Sequence, residues 1–321
     1  MRGLIRREKR SDVLREGLAQ RTARVVHLTH NDLDAVGSDA VHRIRYGEVF
    51  TIFSSVGAFP QMLSIVANNP GRGDLLSITD FGYQAGVEKT LKKARSAGWR
   101  IEWRDHHRWR EDEISLVVRE GIQLTVDTAT CATGIAARDL AGNDPHALEV
   151  ARVVCDYDLW KHTDPRGAVL GRVVSRAEHR TYVRDSLVAG RFSDARIERA
   201  YEELTAEMDA MIAKSGRHAR IYGNLRRTVF APLYGYPSET AYALREQFRS
   251  EIEVIVSSSG RFSIRSVQPI SHLIAREFGG GGHPHAAGGS FNFSLWEKIV
   301  FFLVKKSKKF LRLIEVAESI R

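Results

Sequence analysis

Short strand-like runs alternate with segments of helical periodicity from residue 22 onward. Val25 to Thr29 precedes a helical pattern reaching Tyr46, with Val36, Ala40, Val41 and Ile44 at helical spacing, and Val49 to Ser54 precedes Phe59 to Ala67. Leu75 to Thr79 is followed by a helix near Gln84 to Ala97, Trp99 to Arg104 by a loop of mixed charge, and Ile122 to Val126 by a helix near Cys131 to Leu140. Parallel strands need long crossovers, usually helices, so this order predicts an α/β fold whose mainly parallel sheet carries helices on both faces. Helical patterns dominate from His146 to about Val188. Ser193 to Lys214 reads as one charged helix, with Ser193 or Asp194 as N-cap and Gly216 just past its end. Beyond it, strand-like runs at Arg220 to Tyr222, Thr228 to Ala231, Ile252 to Val256 and Phe262 to Val267 surround helices at Glu239 to Phe248 and Ile270 to Phe278. That is a second, smaller α/β domain. The expected boundaries are a basic N-terminal extension over 1–21, a first domain over 22–190, a connector helix over 191–217 and the second domain over 218–321.

A chain of 321 residues can hold two ordinary domains, and 43% hydrophobic with 27% charged residues describes a globular protein, not a disordered one. The longest apolar run, Ile299 to Val304, is far below the ~20 residues of a membrane span. The N-terminus lacks the apolar core of a signal peptide. A cytoplasmic protein with no membrane partner is the expectation. The two cysteines, Cys131 and Cys155, have no Cys-x-x-Cys spacing and lie in apolar, helix-like contexts, so they read as small buried hydrophobes. The net charge of +9 is uneven. Residues 1–24 hold eight basic against three acidic residues and residues 298–321 hold seven against two, so each end carries +5 and the body between them −1. The basic ends fit either solvated helix faces or a phosphate-binding role.

The stretch THNDLDAVGSDA, residues 29–40, places His30, Asp32 and Asp34 on a strand-to-helix turn, where ligands of open α/β sheets commonly bind. A solvated polar turn and a metal site both fit these residues taken alone. Three further stretches bear on the choice. Asp80 follows the strand Leu75 to Thr79, Asp105, His106 and His107 follow Trp99 to Arg104, and Asp156 and Asp158 lie on or after an apolar helical run. Asp156 sits in the apolar context Val153-Val154-Cys155, and a buried carboxylate needs a partner. In a parallel sheet the C-terminal strand ends share one edge, so residues 30 to 34, 80 and 105 to 107 converge. Carboxylates gathered there repel unless cations compensate them. Oxygen ligands with one or two imidazoles suit Mn²⁺ or Mg²⁺, and two such ions ~3.5–4 Å apart can clamp an in-line displacement at phosphorus.

These residues, in this order, resemble the DHH phosphoesterases, here through Asp105-His106-His107, over roughly residues 22 to 293. The glycine-rich Gly279 to Gly289 is similar to the signature of the DHH-associated substrate domain. Closest in layout are the small members that degrade very short RNA and dephosphorylate nucleoside bisphosphates. The resemblance implies a DHH-type catalytic domain in which His30, Asp32 and Asp80 hold one metal ion, and Asp34, Asp80, His106 and Asp156 the other, with Asp80 bridging. It implies two Mn²⁺ per chain, with Mg²⁺ as the alternative. His107 would face the substrate phosphate, and Asp105 would orient the histidines. One residue separates His30 from Asp32, where several close relatives have three; the family's single-strand exonucleases share the shorter spacing.

In the second domain, the four glycines 279–282 leave room for backbone amides to approach a phosphate, with His283 and Arg265 as donors. Gly280, Gly281, Gly282, His283 and Arg265 are the expected substrate contacts; a flexible loop is the bland alternative. The leading expectation is a two-metal phosphoesterase acting on short RNA or DNA oligonucleotides or nucleotide phosphates, as a homodimer in one reading. Competing readings are a cyclic or linear dinucleotide phosphodiesterase, a processive single-strand exonuclease, and a non-catalytic nucleic-acid-binding protein.

Overall fold

A computed structural model describes residues 2–320, with side chains from residue 11. The chain forms two compact units, Met1–Glu202 and Glu203–Arg321. The first contains α1 (Arg2–Gln20), β1 (Val25–Thr29), α2 (Leu33–Tyr46), β2 (Phe50–Phe53), α3 (Phe59–Ala67), β3 (Leu75–Thr79) and α4 (Val87–Ser96). It continues with β4 (Arg100–Asp105), α5 (Glu111–Arg119), β5 (Gln123–Val126), α6 (Ala132–Ala136), α7 (Pro145–Asp158), α8 (Pro165–Val174) and α9 (Ala177–Val188). The helix α10 (Ala195–Arg217) begins in this unit and ends in the next.

The five strands are parallel, in the order β2-β1-β3-β4-β5. The chain therefore leaves β1 in one direction along the sheet and returns to its other side at β3. The carboxyl ends of β1 and β3 flank the point where the strand order reverses, which is where open α/β sheets bind ligands. Side chains alternate across each strand. Val26, Leu28, Leu76, Ile78 and Trp103 pack with Phe59, Leu63 and Leu91 on one face. A second core joins Val36, Ala40 and Val41 of α2 to Val150, Val154, Val173 and Leu187 of the later helices.

Between α2 and the sheet lies a polar layer. His27, Thr29, Ser77, Thr79, Ser38, Asp39 and His42 are all fully buried. The His27 ring pairs through Nδ1 with Asp39 at 3.1 Å and through Nε2 with the Thr79 hydroxyl at 2.8 Å. That hydroxyl also meets the Thr29 hydroxyl at 2.7 Å. His42 stacks on His27 with ring centroids 4.0 Å apart and reaches Ser77 Oγ at 2.8 Å and the Ser38 carbonyl at 2.6 Å. Paired in this way, polar groups can be buried without the usual penalty.

The second unit contains β6 (Arg220–Tyr222), β7 (Thr228–Pro232), α11 (Pro237–Phe248), β8 (Ile252–Val256), β9 (Arg261–Ser266), α12 (Ser271–Arg276), β10 (Gly281–His283), β11 (Ala286–Ser290), α13 (Leu295–Val304) and α14 (Lys309–Ser319). Its sheet runs β10-β11-β9-β8-β7-β6, with β7 and β8 parallel and the other neighbours antiparallel.

Four expectations need correction. The loop of mixed charge expected after Trp99 to Arg104 contains helix α5. Helix α10 does not stop before Gly216; this glycine is not among the left-handed residues, so it continues the helix to Arg217 instead of capping it. The glycine run is only in part a loop, because Gly281 to His283 pairs with Ala286 to Gly288 as a hairpin. A Cβ on Gly280 would lie 1.9 Å from the Gly288 carbonyl oxygen, so close backbone approach requires glycine there. Cys131 and Cys155 are not separate thiols but a disulfide across a separation of 24 residues. Local spacing gives no hint of it, because the pair meets only when α6 and α7 pack.

Candidate metal centre

Each acidic or imidazole group at the sheet edge is placed by a backbone device. Asp32 is the N-cap of α2, its Oδ1 accepting from the Ala35 amide at 3.1 Å. Asp34, in the first turn, is 1% exposed and accepts from the amides of Ala132 at 2.8 Å and Thr133 at 2.7 Å, the free N–H groups that open α6. Gly37 permits this approach, since a Cβ there would fall 2.7 Å from Thr133 Oγ1 and 2.8 Å from Val154. Asp80 ends β3 in a left-handed conformation, φ 58°, which Asp tolerates better than most residues.

The side chains converge. His30 Nδ1 lies 2.6 Å from Asp32 Oδ2 and 3.5 Å from Asp80 Oδ2, and His106 Nε2 lies 3.4 Å from Asp80 Oδ1 and 3.8 Å from Asp34 Oδ2. Ligand atoms of His30, Asp32 and Asp80 are all within 4.8 Å of one another, as are those of Asp34, His106 and Asp158, and those of Asp80, His106 and His107. Asp80 and His106 each belong to two of these groups.

Asp156 is not brought in. It accepts from the Thr163 amide at 3.2 Å, the Thr163 hydroxyl at 2.5 Å and the Asp164 amide at 2.9 Å, fixing the turn into α8. Asp158, two residues on, stands 3.7 Å from His106 Nδ1 instead. Residues two apart do not share a helix face, so only one of the two aspartates can turn toward the site. The apolar flank of Asp156 marked burial, not the direction of the side chain.

Asp105 is fully buried at the end of β4, where it accepts from the His107 amide at 3.2 Å and Trp109 Nε1 at 2.6 Å. Its other oxygen meets His107 Nδ1 at 2.8 Å, which fixes the ring and leaves Nε2 for another partner. That hydrogen bond, working against burial, raises the His107 imidazole above its usual range. Arg265 is half-buried and donates to Ser238 Oγ at 2.9 Å, whereas His283 is exposed on the glycine hairpin.

The cluster is short of positive charge. Burial, reinforced by Asp80, Asp158 and Asp32, pushes the Asp34 carboxyl well above the usual carboxylate range. Burial also raises Asp158, to about 6, with Asp80 and Asp32 adding to the effect and His106 opposing it. Burial alone would lower His106, yet its hydrogen bond to Asp80 and the charges of Asp34 and Asp158 raise it to about 9. Bound cations would relieve the same repulsion. Asp80 Oδ2 and Asp158 Oδ2 are moreover buried without a hydrogen-bond partner, an arrangement that calls for an ion or water. Carboxylate oxygens and imidazole nitrogens without thiolates fit a hard or borderline divalent metal.

By sequence, no family model and no curated protein matches the chain. Solved structures do. The exonuclease RecJ bound to manganese is similar with a TM-score of 0.58 and 15% identity, over 98% of this chain and 94% of that one. The DHH domain of a member of a ribosomal protein family gives 0.61 and 14%, over 92% and 89%. The pGpG-specific phosphodiesterase of Vibrio cholerae gives 0.55 and 13%, over 88% and 98%. The parallel five-stranded sheet, the mixed second sheet and these likenesses together establish that the chain has the fold of the DHH-domain proteins.

Proposed function

We propose that the chain is a two-metal phosphoesterase hydrolysing phosphodiester or phosphomonoester bonds of short oligonucleotides or nucleoside bisphosphates. The observation that carries this reading is the sharing of Asp80 between the His30–Asp32 group and the His106 group, at the reversal point of the sheet. In this reading His30, Asp32 and Asp80 hold one ion, and Asp34, Asp80, His106 and Asp158 the other, Asp158 taking the role expected of Asp156. Mn²⁺ is the favoured metal, with Mg²⁺ as the alternative. Divalent ions bound there supply Lewis acidity, polarising the phosphoryl group and making a water nucleophile more acidic.

The chain's own residues do the rest. Asp105 holds His107 through Nδ1, so that Nε2 can donate to a phosphoryl oxygen as negative charge grows on it. Arg265, Gly280, Gly281, Gly282 and His283 contribute substrate contacts. A hollow of about 610 Å³ beside the hairpin, lined by Ser257, Ser259, Arg261 and Ser263, offers further polar groups. A linear dinucleotide is the second reading, favoured by the likeness to the pGpG-specific phosphodiesterase over 98% of that chain.

Turnover with Mn²⁺ on RNA of two, five and twenty-four nucleotides, on pGpG and on a nucleoside bisphosphate tests the proposal. Chelation should stop all activity, and the shortest substrates should give the highest kcat/KM. His107→Ala should retain its metal while losing roughly 10²-fold or more in turnover, the range for removing one transition-state donor. Equal rates on the longest and shortest RNA would shift the reading to a processive exonuclease. Undiminished turnover in excess chelator would reject the metal mechanism.

A further inference from the structure

Helix α13 turns most of its apolar surface to solvent. Leu295, Trp296, Ile299, Phe302 and Leu303 are 77, 71, 43, 65 and 70% exposed, while Phe301 is the helix's buried anchor. Their three- and four-residue separations place the exposed five side by side. Folded proteins rarely leave a contiguous patch of this kind without a partner. The helix is also firmly set. Ser294 and Glu297 form a capping box at its start, and Lys309 Nζ holds Glu297 at 3.0 Å from its place on α14.

The rim of the patch is basic. Lys298, Lys306 and Lys308 are exposed, and Lys305 lies over the Phe302 ring at 4.7 Å while donating to the Phe302 carbonyl. Glu297 is the only acidic residue of α13, and the Lys309 contact already neutralises it. This charge distinguishes between occupants. A second copy docking by the same face would set two lysine rims against each other, and like charges across an interface are unfavourable. An anionic lipid surface complements both parts, taking the apolar side chains into the boundary between headgroups and acyl chains and the lysines onto the phosphates.

We propose that α13 is an in-plane anchor that docks this protein on an anionic lipid surface. Trp296, Phe302 and Leu303 enter the interface, and Lys298, Lys305, Lys306 and Lys308 meet the headgroups. At ten residues the helix is about 15 Å long, too short to cross a bilayer. No helix among the described residues is long and apolar enough to do so. The proposal is independent of which phosphate ester the metal centre cleaves.

Sedimentation of the full chain with vesicles tests it, using phosphatidylcholine alone and phosphatidylcholine mixed with phosphatidylglycerol. Binding to the mixed vesicles should be at least about tenfold stronger, from the several lysines near the surface. Trp296 emission should shift to the blue on binding, and Trp296→Phe should remove that shift. Phe302→Ser with Leu303→Ser should abolish binding while leaving the thermal midpoint within a few degrees of the parent, since both positions are exposed. Lys306→Glu with Lys308→Glu should remove the preference for anionic lipid. No binding to mixed vesicles, equal binding to both kinds, or undiminished binding by the serine variant would overturn the proposal. A concentration-dependent dimer dissolved by the serine variant, without vesicle binding, would assign the face to a second copy.

Discussion

Asp80→Asn should eliminate measurable phosphoester hydrolysis and release bound metal, whereas Asp156→Asn should retain both. Asp80 lies in both the His30–Asp32 group and the His106 group, so under the proposed two-metal reading its loss would remove a donor from both ions. Outer-sphere partners of metal ligands typically cost 10–100-fold, and a shared donor should exceed that range. Asparagine is the informative replacement because it tolerates the φ of 58° at this position, leaving the backbone at the end of β3 in place. Asp156 instead accepts three hydrogen bonds that fix the turn into α8, so its asparagine variant should show a lower thermal midpoint with its metal content intact. Elemental analysis beside kcat separates the outcomes. Full metal occupancy in Asp80→Asn, or metal loss in Asp156→Asn, would reverse the ligand assignment.

Asp39→Ala should be the most destabilising substitution in the polar layer, by about 3–5 kcal/mol, the range for breaking a buried charged network by removing one member. The carboxylate is fully buried. It accepts from Thr51 Oγ1 at 2.7 Å and faces His27 at 3.1 Å, with Arg43 and Arg184 both at 3.4 Å. Burial would raise its pKa, but the hydrogen bond and charge of His27, then Arg43 and Thr51, bring it down to about 2. The folded pKa is below the ordinary value of 3.8, so Asp39 stabilises the fold fully above about pH 4 and loses that contribution as pH falls toward 2. His42 works in the same direction at higher pH. Burial and the neighbouring His27 hold its pKa well below 6.5, so the unfolded chain binds the proton first and stability begins to fall as pH drops through 6.5. Urea unfolding at pH 7, 5 and 3 measures both limbs. Asp39→Ala should be weaker at pH 7 and less sensitive to acid between pH 4 and 2; parallel curves for variant and parent would refute the argument.

The sheet edge was legible because its chemistry and its topology are both written locally. His30, Asp32, Asp34, Asp80, Asp105, His106 and His107 each follow a short strand-like run, and a parallel sheet brings such positions to one edge without any knowledge of packing. What stayed hidden depends on direction or distance. Asp156 and Asp158 differ in which side of α7 they occupy, and apolar neighbours do not report that angle. Cys131 and Cys155 meet across a helix interface that no spacing encodes. His27 and His42 sit inside segments whose β-branched or apolar neighbours dominate the pattern, so the polar layer joining β1 and β3 to α2 could not be seen until the strands were paired. Glycines misled twice for one reason. Gly216 and Gly280 serve close packing or helix continuation, whereas sequence convention reads glycine as a stop or a loop.

The parallel order of the first sheet also governs how the chain reaches its native state. No two of its neighbouring strands are joined by a tight hairpin, so every pairing must wait for a crossover to close. The ligand groups from His30 to Asp158 span most of that unit's sequence, and no fragment of it holds a complete set. Pairings between distant residues are slow to form, because loop closure is paid before the contacts return anything. The candidate metal centre should consequently form late in folding, and the onset of metal binding in a refolding experiment would time the completion of the whole sheet.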